Sequence, residues 1–185
     1  MINLIVATDL NNAIGKNGKM PWGFVKADLL YFKKVTMGHP VIMGRKTWES
    51  LPESVKPLPG RTNIVVSRNT PCGIRDGVYF VISIEDAIRI ALTMDSDPFI
   101  IGGGQIYEQS MPYVERIFIT RIDEDFEYSD TFFPEIDEQK WETIVSIKHQ
   151  DEGYYPLSFD ILYRLPDQDF VSLCKKRVIY TIGES

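Results

Sequence analysis

Cysteine and histidine are both scarce in this chain, whose 185 residues include two of each. Cys72 and Cys174 are too few for a disulfide framework, and neither lies in a spacing typical of a metal or redox site. His39 and His149 also lack a partner at metal-ligand spacing, so we assign neither one a metal-binding or catalytic role. The sequence therefore predicts inert thiols in a reducing compartment and no metal site.

Long apolar runs and excess positive charge are lacking as well. No window reaches the roughly 18–20 apolar residues of a membrane span, and the opening stretch MINLIVATD has neither a basic leader nor a cleavage site. The formal net charge of −6 argues against an extended nucleic-acid or anionic-membrane surface, but it leaves room for a small basic pocket. We expect a soluble, cytoplasmic protein that binds neither nucleic acid nor membranes.

Apolar and aromatic residues are plentiful, at 44% and 12% of the chain, which favours one globular domain. Several apolar stretches predict strands that are covered on both faces, as in a parallel sheet: 2–8, 39–44, 62–67, 78–82, 98–103 and 116–122. Residues 141–150 and 155–165 alternate as antiparallel strands do, and 26–36 and 83–92 have helical patterns. The prediction is a single-domain α/β fold over residues 1–165, with a mixed, mostly parallel sheet of about eight strands flanked by helices.

Three consecutive glycines, Gly102, Gly103 and Gly104, separate an apolar run from a short helical stretch in IIGGGQIYE. Glycine inside a strand or helix costs about 0.5–1 kcal/mol relative to alanine, so three together indicate unusual dihedrals or a ligand close to the main chain. A dinucleotide fingerprint is one interpretation, although its third glycine position falls on Tyr107. A different phosphate cradle and a tight turn without a ligand are the alternatives.

Basic residues follow two of the predicted strands. Arg45, Lys46 and Thr47 lie where a strand ends and a helix begins, so cationic side chains and free backbone N–H groups would converge there. Ser67 and Arg68 end the next strand at the same edge of the sheet. A pyrophosphate suits such a place, and a solvated basic turn is the alternative.

Two charged residues suit the recognition of a polar organic ligand. Arg61 follows the turn PLPG, and a guanidinium can pair bidentately with a carboxylate; a plain surface arginine is the alternative. Asp28 lies in the first turn of a predicted helix beside Leu29, with Phe32 one turn along. An acid that only complements the helix dipole is the alternative there.

Five blocks of this sequence, in order and spacing, resemble dihydrofolate reductase: IGKNGKMPW, KADLLYFKKVT, VIMGRKTWESLP, PLPGRTNIVVSR and IIGGGQIYE. The resemblance runs from about Ile2 to Arg164. It implies an NADPH-dependent oxidoreductase that reduces 7,8-dihydrofolate to 5,6,7,8-tetrahydrofolate for thymidylate, purine and one-carbon metabolism, and that binds antifolate-type inhibitors. It also implies a cis Gly102–Gly103 peptide under the nicotinamide and a mobile lid from about Asp9 to Phe24.

The resemblance assigns roles to individual residues. It implies that the catalytic residues are Asp28, Trp22 and Thr120. It implies substrate contacts for Ile5, Val6, Leu29, Phe32, Leu51, Leu58, Arg61, Ile101 and Tyr107, with Arg61 holding the α-carboxylate of the glutamate tail. It implies cofactor contacts for Ala7, Ile14, Gly15, Met20, Gly44, Arg45, Lys46, Thr47, Ser67, Arg68, Gly102, Gly103, Gly104, Gln105 and Ile106.

The chain departs from the family pattern at several points. Gln105 stands where many members have a basic residue, and Val6 where alanine is common, which bears on cofactor affinity and inhibitor response. Residues 166–185 have no counterpart, and their apolar stretch RVIYTIG predicts an added edge strand or a partner contact on an otherwise monomeric enzyme. A reductase for another pterin-like or pyrimidine substrate, and a non-catalytic protein with the same fold, are the alternative functions.

Overall fold

The structure is a computed structural model that describes residues 1–150 and 155–166. Within these residues no helix is both long enough and apolar enough to pass through a membrane. The strand or partner contact expected from RVIYTIG lies outside the described residues.

Strands and four α-helices make up most of this part of the chain. The strands are β1 (Asn3–Thr8), β2 (Ala13–Gly15), β3 (Val41–Gly44), β4 (Asn63–Val66), β5 (Gly73–Arg75), β6 (Val78–Val81), β7 (Phe99–Gly102), β8 (Arg116–Ile122), β9 (Thr131–Phe132), β10 (Trp141–His149) and β11 (Leu157–Arg164). The α-helices are α1 (Lys26–Thr36), α2 (Arg45–Ser50), α3 (Ile84–Met94) and α4 (Gly104–Ser110), and short 3₁₀ turns span Glu53–Val55 and Met111–Tyr113.

Nine strands form one sheet in the order β10-β11-β8-β1-β7-β3-β4-β6-β5. The six central strands are parallel, whereas β5, β11 and β10 are antiparallel to their neighbours. This confirms the predicted mixed, mostly parallel sheet. The sheet has one strand more than the eight predicted, namely β5. This strand forms a hairpin with β6 through Asp76 and Gly77, which both have positive φ. Asp-Gly is a strong signal for such a turn.

Helices cover both faces of the sheet and bury its apolar side chains. On one face α3 and α4 pack against alternate sheet residues such as Leu4, Ile42 and Ile100. On the other face α1 and α2 pack against intervening positions such as Ile5 and Met43. Because both faces are covered, the central strands are apolar in runs, and the two-residue period decides which face each side chain meets.

The parallel arrangement brings several strand ends to one edge of the sheet. β3 ends at Gly44, β4 at Val66 and β7 at Gly102; α2 begins directly after β3, and α4 begins two residues after the end of β7. Ligands of open α/β sheets bind beyond the carboxyl ends of the strands. This edge therefore positions the candidate site.

Candidate active site

Asp28 is a buried acid in the first turn of α1, with 8% of its surface exposed. Burial raises the pKa of the Asp28 carboxyl, because desolvation disfavours its charged form. The hydroxyl of Thr120 on β8 lowers that pKa, and this opposing effect is the smaller one. The Asp28 carboxyl and the Thr120 hydroxyl nevertheless do not have the geometry of a standard hydrogen bond. The net effect is a raised pKa, so burial outweighs the contact with Thr120.

Buried polar atoms near the start of α1 and on β1 and β8 have no hydrogen-bond partner within the described residues: Thr120 Oγ1, Trp22 Nε1 and Thr8 Oγ1. Trp22 packs with Val25, the residue that precedes α1, so the indole lies at the start of the helix that carries Asp28. Burying a polar group without a partner costs about 1–3 kcal/mol. Such groups are suited to a ligand that brings its own donors and acceptors. Thr8 was not predicted, since it reads as an ordinary strand residue.

The predicted apolar walls fall largely into one cluster. Ile5, Leu58 and Ile101 are buried there, and Phe32 and Leu51 pack against them. Leu29 is half-buried on α1. Val6 and Tyr107 instead pack in the cluster on the opposite face, under α3 and α4.

Tyr107 connects the two faces. Its hydroxyl donates a hydrogen bond of 2.8 Å to the backbone carbonyl of Ile5. Burial, and to a lesser extent the negative charge of Asp28, raises the pKa of the Tyr107 phenol. The phenol is therefore a neutral donor that holds the β1 backbone in the neighbourhood of the acid.

Arg61 is held by neighbours that orient its guanidinium. Nε donates to the Pro59 carbonyl at 3.2 Å, and Nη1 donates to Thr36 Oγ1 at 3.0 Å. The guanidinium carbon also lies 5.6 Å from the centre of the Phe32 ring. Nη2 has no hydrogen-bond partner in the part of the chain that the structure describes. An oriented guanidinium with unused N–H groups beside an apolar wall can bind a carboxylate end-on.

The glycines bring the starts of α2 and α4 together. A Cβ on Gly103 would lie 3.2 Å from Thr47 Oγ1, and one on Gly44 would lie 2.9 Å from Cγ1 of Ile106. Both helices begin without a side-chain cap, so their first N–H groups have no partner within the helix. Neighbouring N–H groups at one sheet edge suit the phosphates of a dinucleotide. The residues present therefore fit the implied cofactor.

The expected cis peptide between Gly102 and Gly103 is confirmed. Gly102 has φ of 109°, and a Cβ there would lie 2.8 Å from the Tyr107 ring. Glycine is therefore required at this position both by the backbone and by the close approach of the ring.

The basic residues are not equally available to an anion. Arg45 Nη1 donates to both carboxylate oxygens of Glu49 at 2.8 Å, a pairing that the sequence analysis did not include. The hydroxyl of Ser67 is bonded to that of Thr70 at 2.8 Å. Arg68 and Lys46 are exposed. An anion at this edge would therefore meet an Arg45 whose charge is partly neutralised by Glu49.

The predicted lid, residues 9–24, contains β2, which pairs with β9 and so joins the lid to the loop after β8. A Cβ on Gly15 would lie 3.0 Å from Cβ of Thr131. Ile14 packs at the edge of the α3 and α4 cluster, Ala7 packs with Trp22, and Met20 is exposed. Asp9 accepts three backbone hydrogen bonds at the base of the lid, although it received no individual role from the sequence.

Comparisons with known proteins identify the family of this chain. The family model described as dihydrofolate reductase matches residues 1–164. A dihydrofolate reductase of Bacillus subtilis is 40% identical over 162 residues, which cover 88% of this chain and 92% of that protein. One from Haemophilus influenzae is 41% identical over 88% of this chain and 98% of its own length. One from Neisseria gonorrhoeae is 47% identical over 76% and 83%.

Proposed function

This chain belongs to the dihydrofolate reductase family and reduces 7,8-dihydrofolate to 5,6,7,8-tetrahydrofolate with NADPH, and from that premise we propose how its residues divide the work. The observation that supports the division is the buried carboxylate of Asp28 near unpartnered polar groups of Trp22 and Thr120. A pterin ring carries N–H, amino and carbonyl groups on one edge. Those groups can satisfy the buried atoms that the described protein residues leave without partners.

Asp28 binds and orients the pterin and promotes its protonation. Its carboxylate accepts hydrogen bonds from the amino and ring N–H groups, and Thr120 adds a hydroxyl to the same contact. Burial raises the pKa of Asp28 toward the range in which a carboxyl can exchange a proton with substrate. The proton goes to the ring nitrogen beside the carbon that is reduced. Trp22 covers this end of the site and excludes water.

The rest of the substrate extends along the α1 and α2 face of the sheet. Ile5, Phe32, Leu51, Leu58 and Ile101 share one apolar cluster, and with Leu29 on α1 they supply the walls for the two aromatic ring systems. Arg61, at the far end, binds the α-carboxylate of the glutamate tail through Nη1 and Nη2. Val6 and Tyr107 shape the floor of the site from the other side of β1.

NADPH, when bound, supplies the hydride. Gly102, Gly103, Gly104, Gln105 and Ile106 approach it from the end of β7, and Gly44, Arg45, Lys46 and Thr47 from the end of β3. Ser67 and Arg68 recognise its 2′-phosphate, and Arg45 flanks the same phosphate from the start of α2. The lid, through Ile14, Gly15 and Met20, covers the nicotinamide side together with Ala7 of β1 and limits the access of water.

We further propose that residues 1–165 are the complete catalytic unit and that the enzyme acts as a monomer in the cytoplasm. The exposed free thiol of Cys72 suits a reducing compartment. Residues 166–185 are then available for contact with a partner.

The role of Asp28 is tested by Asp28→Asn, which keeps the shape of the side chain but cannot ionise. We expect it to bind NADPH normally, to lose most turnover of dihydrofolate at pH 7, and to recover part of that turnover in acid, where solvent can protonate the substrate. Glu142→Gln on the exposed face of β10 is the matched control, because it removes one negative charge far from the site. Wild-type turnover of Asp28→Asn at pH 7 would refute this proton route.

A further inference from the structure

Asp9 is a buried carboxylate that the reduction itself does not use. It lies directly after β1, at the first residue of the lid, and is 2% exposed. Its Oδ1 accepts hydrogen bonds from the backbone N–H groups of Asn11 at 2.8 Å and Ala13 at 2.7 Å. Its Oδ2 accepts from the backbone N–H of Phe126 at 3.1 Å. One carboxylate therefore joins the base of the lid to the loop between β8 and β9.

Phe126 extends this connection into the active site. Its ring packs edge-to-face with that of Trp22, with 5.9 Å between ring centres and an interplanar angle of 62°. Tyr155 also contacts Phe126, with ring centres 5.2 Å apart. Trp22 in turn packs with Val25, three residues before Asp28. A continuous set of contacts thus runs from Asp9 through Phe126 to Trp22, and the inference rests on the function proposed above, in which Trp22 covers the pterin end of the site.

We propose that Asp9 is a positioning residue for the reduction, which acts by holding Phe126 against Trp22 and so keeps the lid in place over the reacting rings. A carboxylate suits this task because both of its oxygens are acceptors, so it can serve N–H groups from two segments at once. Bonds from N–H groups to a charged acceptor are also stronger than neutral ones. A neutral side chain of the same size cannot accept all three of these hydrogen bonds.

Asp9→Asn separates the two functions of the carboxylate, which are to hold the local turn at Asn11 and Ala13 and to bind the backbone of Phe126. Asparagine can keep the two hydrogen bonds of the local turn through its single carbonyl oxygen. Its NH₂ group then faces the Phe126 N–H, and because both groups are donors the bond to Phe126 is lost. We expect single-turnover hydride transfer to slow about tenfold, as small misplacements near reacting atoms do. We expect the dissociation constant for dihydrofolate to stay unchanged and the near-ultraviolet circular dichroism of tryptophan to change. Asp123→Asn is the control, because Asp123 is exposed in the same loop and its side chain makes no hydrogen bond within the described residues.

A second variant tests the route through the aromatic ring. Phe126→Leu removes the ring but keeps the N–H that Asp9 accepts, so it should slow the same step. The double variant should be no slower than the slower single variant, because both changes break one connection. If Asp9→Asn lowers the melting temperature but keeps the wild-type hydride-transfer rate, Asp9 is only structural and the proposal fails. The proposal also fails if the double variant slows hydride transfer by the product of the two factors found for the single variants. If Asp9→Asn does not fold, a wild-type rate for Phe126→Leu overturns it.

Discussion

Replacing Arg61 with lysine should weaken substrate binding much more than it slows turnover. Arg61 is oriented by Pro59 and Thr36 and stacks near Phe32, while Nη2 has no partner in the described part of the chain. Lysine keeps the charge but loses the planar fork, so at least one charge-assisted hydrogen bond to the substrate carboxylate disappears. Such a bond contributes about 1.5–3 kcal/mol, which corresponds to a rise of roughly 10- to 150-fold in the Michaelis constant.

Steady-state kinetics with dihydrofolate and with an analogue that lacks the glutamate tail would measure this effect. The rise should appear for dihydrofolate alone, and kcat should change little, because this contact is made equally in the ground and transition states. Thr36→Val is an informative companion, since it removes the hydroxyl that orients Nη1 but leaves the guanidinium. Thr36→Val should also raise the Michaelis constant for dihydrofolate but not for the tailless analogue, and by a smaller factor than Arg61→Lys. A Michaelis constant that stays at the wild-type value in Arg61→Lys, or an equal rise for the tailless analogue, would show that the glutamate tail binds elsewhere.

Three further outcomes follow from the geometry. Because burial raises the pKa of Asp28, the folded protein binds a proton at this carboxyl more readily than the unfolded chain, so stability falls as pH rises from the ordinary pKa through the raised one. Urea unfolding of the apoenzyme should therefore show Asp28→Asn to be more stable than wild type at pH 7, with a difference that shrinks in acid; a less stable variant at pH 7 would contradict this reasoning. Glu49→Gln should tighten NADPH binding by a few fold, in line with the roughly 0.2–1 kcal/mol of an exposed ion pair, because it frees Arg45, whereas NADH binding should not change. An equal gain in affinity for NADPH and NADH in Glu49→Gln would rule out a contact between Arg45 and the 2′-phosphate. For the wild-type enzyme, calorimetry at rising salt should show that the preference for NADPH over NADH shrinks. A chain that ends at Leu165 should keep wild-type kcat and Michaelis constants, and lost activity would extend the catalytic unit into the tail.

Local sequence patterns predicted much of this fold because local periodicity reflects burial. The apolar runs at 2–8 and 116–122 correspond to β1 and β8, and the helical pattern at 26–36 coincides with α1. The Asp76-Gly77 turn shows that the missing strand β5 was also marked locally, by residues suited to positive φ.

The sequence by itself also marked the residues to which the family resemblance assigns the chemistry. An acid in the first turn of α1, an arginine after a rigid turn and three consecutive glycines can each be read from neighbours along the chain. Glycine at 102 is a requirement of the backbone conformation there, with φ of 109°. Such features depend on a few adjacent residues, so no knowledge of distant contacts is needed to identify them.

Only the tertiary structure decided how these groups are oriented and charged. Thr36 orients Arg61 across 25 positions of sequence, and Asp9 binds the Phe126 backbone across 117. Likewise, Asp28 has a raised pKa because distant segments remove water from around it, not because of its place in the helix. Desolvation and hydrogen bonds of this kind depend on which segments meet in space, and a pattern that repeats every two or four residues carries no information about those meetings.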